Sequence, residues 1–169
     1  MQRTIWFSLL LCVGLALGSV PSRAQTVRLP KVGDPAFSVN VPPGWTYTYD
    51  DLGNLQFLAS DHSTGLQLSM LTDPAATTSL SEDAANVFKG AGAQPYTKSE
   101  PSTLVGRPGQ AFYGVLLVNN VPLQMKVILA KIDDSHVGIM VILTQNDDTP
   151  EQIAALNALI SLVQLSGPQ

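Results

Sequence analysis

The chain has 169 residues, with 9 Lys and Arg against 13 Asp and Glu, a net charge of −4, and 45% hydrophobic residues. Cations this sparse and scattered exclude the basic stripe that nucleic acid or an anionic membrane surface would require of its partner. A single cysteine, Cys12, excludes an intrachain disulfide.

Arg3 opens the chain with positive charge, residues 5–17 form an almost unbroken apolar run, and Ser22, Arg23 and Ala24 place small residues at −3 and −1 before Gln25. This order predicts a cleaved secretory signal over residues 1–24, with a run too short for a span of about 20 residues. Cys12 sits inside that run behind Leu9, Leu10 and Leu11, so it does not read as a lipid-attachment site. Cleavage after Ala24 removes Arg3 and Arg23, leaving 145 residues with seven cations against 13 acids, a net charge of −6. That length suits one domain, and its stability must come from packing without thiol chemistry. A protein exported to the periplasm or beyond, with no membrane span after cleavage, is the expectation.

Residues 25–34 contain Pro and Gly without periodicity and are expected to form a flexible, exposed leader. Alternation begins at Phe37, Val39 and Val41 and predicts a strand. Pro42, Pro43 and Gly44 predict a reversal. A second strand follows, with Trp45, Tyr47 and Tyr49 on one face and Thr46 and Thr48 on the other. A turn over Asp51, Leu52, Gly53 and Asn54 leads to a strand over 55–60, and Leu66, Leu68 and Met70 mark another. The first third thus reads as an antiparallel meander.

The period then changes. Ser79 and Glu82 have the spacing of a capping box, and Ala84, Val87, Phe88 and Ala91 share a face, which predicts a helix near 81–91. Strands return from Tyr96 to Thr144, with Asn119 and Asn120 as a two-residue hairpin turn and Asp133, Asp134 and Ser135 as the next turn. Residues 111–118 and 137–143 are apolar at odd and even positions alike, so both sheet faces are expected to be covered, and by helices. The second helix is marked by Thr149 at the N-cap, Pro150 at N1 and Gln152 at N3. Its apolar stripe is Ile153, Leu156, Ile160 and Val163, and Ser166, Gly167 and Pro168 stop it.

The FSVNVPPGW opening, with Pro43, Gly44 and Trp45 at its centre, resembles the start of PsbP-like and DcrB-like exported domains. The element order agrees over residues 35–165: a meander, a helix, a three-stranded meander and a C-terminal amphipathic helix. The stretch from Leu104 to Ala111 is also similar to a Gly-x-Pro turn between later strands of such domains. The resemblance implies one α+β domain over 35–165 with a short tail at 166–169. Its architecture would be an α/β/α sandwich around a central, mainly antiparallel sheet of six to eight strands. It also implies a non-catalytic accessory or assembly role, and it brings no catalytic residues, metal or cofactor to carry over.

The chemistry-bearing residues are few. There is no Gly-x-Ser-x-Gly elbow, and Asp61, His62 and Ser63 are too close in sequence to fold into a triad. His62 and His136, each in a turn beside aspartates, would make a mixed site with Asp61 and Asp134 only if both turns met at one sheet end. A small envelope hydrolase or metal-dependent enzyme using His62 or His136 is one alternative function. Acidic pairs at 50–51, 133–134 and 147–148 fall in turns or at a cap. The aromatic stripe Trp45, Tyr47 and Tyr49, extended by Phe57, is the candidate binding surface, with another envelope protein as the partner. Met70, Met125 and Met140 lie on separate strands and read as gap fillers. A carrier of an apolar small molecule, held between helix and sheet, is the remaining alternative.

Overall fold

A computed structural model describes residues 25–72 and 79–166; the signal segment expected over 1–24 and residues 167–169 of the tail lie outside them. The elements in chain order are β1 (Gln25–Leu29), β2 (Ala36–Val41), β3 (Trp45–Tyr49), β4 (Leu55–Ala59), β5 (Gly65–Thr72), α1 (Leu80–Gly90), β6 (Lys98–Leu104), β7 (Arg107–Val118), β8 (Val121–Lys131), β9 (His136–Thr144), α2 (Pro150–Ser161) and β10 (Val163–Ser166). Seven strands form one antiparallel sheet in the order β3-β4-β5-β9-β8-β7-β6, and β1, β2 and β10 form a second, three-stranded sheet. The protein is an α+β fold with the expected antiparallel sheet and two helices.

Local chemistry sets the boundaries. Ser79 accepts from the Glu82 N–H while Glu82 reaches back to the Ser79 N–H, closing the box at α1. Thr149 and Gln152 do the same for α2, with Pro150 at the first helical positions. Each cap contributes about 1 kcal/mol. Asn119 and Asn120 hold φ of 51° and 65°, as the β7–β8 hairpin requires.

The large sheet is buried on both faces where its central strands run. On one face Phe112, Leu116, Met125, Val127, Leu129, Val137, Ile139 and Val141 pack against Ala84, Val87 and Phe88 of α1. The Tyr96 ring adds a third layer contact, 4.9 Å from Phe112 and 5.9 Å from Phe88. The opposite face, with Leu66, Leu68, Ile128, Met140 and Ile142, meets Val27, Leu29, Phe37, Val39 and Val41, joined by Leu156, Leu159 and Val163. Two sites set how close the layers come. A Cβ on Gly114 would stand 2.6 Å from Phe88 Cε1, and one on Gly138 2.7 Å from Phe37 Cζ. Glycine at both positions gives each covering phenylalanine a seat on the sheet.

Several expectations need correction. The leader expected over 25–34 is in part strand: β1 pairs with β2 from Gln25↔Val41 to Leu29↔Phe37, and Val27 and Leu29 are buried. Only Val27 and Leu29 alternate there, a pattern too short to read without its partner strand. β2 does not join the meander. The reversal at 42–44 carries the chain from the small sheet to the edge of the large one, and β3, β4 and β5 form the meander. The later meander has four strands, β6 to β9, because β6 pairs with β7 through the turn at Val105 and Gly106. The second covering layer is a sheet with α2 beside it, not a helix alone. Accordingly α2 buries Leu156 and Leu159, exposes Ile153, and ends at Ser161. Val163 and Ser166, expected in the helix and its stop, belong to β10, which pairs with β2.

Candidate functional site

The candidate surface lies where the small sheet meets the β3 edge of the large one. Trp45, Tyr47 and Tyr49 are half-buried and packed against the core, and Thr46 and Thr48 between them are exposed, as strand alternation demands. Trp45 pairs across from Ala59, Tyr47 from Phe57 and Tyr49 from Leu55. Phe57 is fully in the core, so it anchors the stripe instead of extending its open surface. The Tyr47 and Tyr49 rings meet edge to face at 6.4 Å.

Tyr49 ties the two sheets together. Its hydroxyl donates to the Arg28 carbonyl at 2.7 Å, and the Lys31 ammonium lies 4.1 Å from its ring centre. A cleft of about 320 Å³ opens on one side, between β1 and the Tyr47 and Tyr49 rings. A second, of about 420 Å³, opens on the other, floored by Leu29, Tyr49 and Met70 and rimmed by Lys31, Asp50, Asp51 and Leu52. Both are open grooves sharing Tyr49 and Lys31 as their divide. Leu52 at one rim and Val32 in the β1–β2 loop are strongly exposed apolar side chains. Asp50 holds its own turn by accepting from the Leu52 and Asn54 N–H groups at 2.9 and 2.8 Å.

The structure brings Tyr47 and Tyr49 to the grooves and leaves Trp45 outside their linings. Sequence reasoning missed Arg28, Lys31, Leu52 and Met70. The first two sit in the segment read as a leader, and Met70 lines a groove where a gap filler was expected. Only the short alternation of β1 carried a signal for them.

The two histidines do not meet. β5 pairs with β9 from Gly65↔Leu143 to Thr72↔His136. His62 precedes the first pair and His136 forms the last, so seven strand steps of about 3.3 Å, roughly 23 Å, separate their sheet ends. A shared His62 and His136 centre with Asp61 and Asp134 is not formed. Each turn has a local structural role. Asp61 accepts from Gln152 Nε2 at 2.8 Å and from the Ser63 N–H at 3.1 Å, bonds that bring its carboxyl down to about 2. His136 Nδ1 lies 2.8 Å from Asp133, and that bond, with the Ser135 N–H, keeps the Asp133 carboxyl below its usual value. Among the described residues no three His, Cys, Asp or Glu side chains gather within reach of one metal ion. Between the layers Phe37 packs over Gly138 and Phe88 over Gly114. Among the described residues no helix is long and apolar enough to cross a membrane.

No family model matches this sequence, and no curated protein does. Solved structures do. Cyanobacterial PsbP (CyanoP) from Synechocystis superposes with a TM-score of 0.57 at 12% identity, over 90% of this chain and 99% of its own. A protein from Bacteroides thetaiotaomicron gives 0.51 at 11% identity, over 78% of this chain and 45% of its own. LpqN, involved in cell envelope biogenesis of Mycobacterium tuberculosis, gives 0.46 at 16% identity, over 85% and 91%. At these identities the likeness speaks for architecture alone. The chain has a PsbP-like fold.

Proposed function

We propose that this protein is an exported, non-catalytic accessory or assembly factor that binds another envelope protein through the surface of Trp45, Tyr47 and Tyr49. The signal-like order of residues 1–24 supports export, and a PsbP-like architecture accommodates a binding role. One observation carries the reading. An uncharged aromatic edge strand, Trp45–Tyr49, borders two open grooves at the junction of two sheets, one of them rimmed by the exposed Leu52. Surfaces that combine half-buried tyrosines, a nearby cation and exposed aliphatic groups are the ones partners engage.

Chemical cross-linking of the mature protein in its own envelope, with mass-spectrometric identification, tests this. The expected result is one dominant protein adduct that Tyr47→Ala or Tyr49→Ala removes and His62→Ala with His136→Ala leaves intact. Loss of function on exchanging the histidines, with the adduct unchanged in the tyrosine variants, would overturn the reading.

A further inference from the structure

The two ends of the large sheet differ in how they are protected. β6, at one edge, carries Lys98, Glu100 and a proline, Pro101, which cannot donate to an added strand. β3, at the other, has no charge and no proline in its five residues. The Ser60 N–H donates to the Gly44 carbonyl and the Asp50 N–H to the Asn54 carbonyl, at 2.9 and 3.0 Å. Antiparallel bonding alternates, so residues 44, 46, 48 and 50 bond to β4, and the backbone groups of Trp45, Tyr47 and Tyr49 point outward. Among the described residues β3 is paired on one side only.

The same three residues direct their side chains toward the small sheet, where Lys31 sits over Tyr49. Arg28 shares its charge with Asp34 at 2.7 Å, whereas Lys31 has no ion pair among the described residues. This leaves a cation without an ion pair beside an unpaired edge, on a groove rim it shares with Asp50 and Asp51. Resting on the binding reading above, we infer that the partner is engaged as an extended polypeptide segment that adds a strand to β3. Its inward side chains cross Tyr47 and Tyr49, and one of them is a carboxylate that meets Lys31. Main-chain bonds supply the affinity and the aromatic and cationic contacts supply the register.

Selection of a random displayed heptapeptide library on the mature protein tests this with a defined probe. The expected winners carry Asp or Glu, and N-methylation of their backbone amides weakens binding about tenfold at one parity and little at the other. Lys31→Glu, on an exposed loop, weakens the same peptides about fivefold. Amide exchange slows at Trp45, Tyr47 and Tyr49 when peptide is bound. Peptides that bind over Tyr47 with no parity in the N-methyl series would overturn strand addition and leave the binding role standing. Failure to enrich any peptide, or concentration-dependent protection of Trp45–Tyr49 by self-association, would also overturn it; the envelope cross-link decides the binding role separately.

Discussion

Tyr113 shows how one side chain reports on its surroundings. It lies on β7 between Lys98 and Lys126, whose ammonium groups are 4.9 and 5.4 Å from its ring centre, and its hydroxyl donates to Glu100 Oε1. Lys98 foremost, at 2.6 Å, and then Tyr113 hold the Glu100 carboxyl below its ordinary value. The Glu100 bond, with burial, pushes the Tyr113 phenol up to about 12. Because the folded state favours the protonated phenol, that stabilisation is complete below about pH 10 and is lost as pH rises through 12. Ultraviolet titration is expected to show one tyrosine ionising near 12, and Tyr113→Phe removes that step. Loss of a step at about 10 in Tyr113→Phe, with no step at about 12 in the unaltered protein, would show that the bond to Glu100 does not form in solution. The residues around Tyr49 follow a different logic. Its hydroxyl is fixed on a backbone carbonyl and its ring carries a cation, so it presents a rigid amphipathic surface.

At the scale of elements, each covering layer seats one phenylalanine over a glycine of the large sheet. Gly114→Ala and Gly138→Ala force a methyl to within 2.6 and 2.7 Å of Phe88 and Phe37, so each is expected to cost about 1–3 kcal/mol in denaturant unfolding. A loss below a few tenths of a kcal/mol at either site would mean that the layers do not close on these glycines. Elements announced by local chemistry were legible in the sequence. The two capping boxes, the Asn119 and Asn120 hairpin and the double-sided burial of β9 all depend on neighbours within a few residues, whereas β7, expected to be covered on both faces over 111–118, leaves Leu117 exposed. β1 and β10 were not legible, because each is a short strand whose apolar residues acquire meaning only against β2, which lies far from β10 in sequence. The same distance effect sent Val163 to the wrong element.

For the whole molecule, the sheet order explains why part of the site could be read and part could not. The stripe Trp45, Tyr47 and Tyr49 follows from strand alternation, yet its setting beside Arg28 and Lys31 is created by a second sheet that no local pattern foretells. The register of β5 on β9 likewise fixes the separation of His62 and His136, which their similar turns could not reveal. A protein of net negative charge then offers one open, uncharged sheet edge with a cation beside it, and one edge guarded by Lys98, Glu100 and Pro101. The most direct measurement compares these edges in place. A photoreactive residue is put at exposed Thr48 on β3 or at exposed Ser99 on β6, and the envelope is irradiated. The account predicts a discrete protein adduct from position 48 and none from position 99. An adduct from 99 alone, or the same adducts from both, would contradict it.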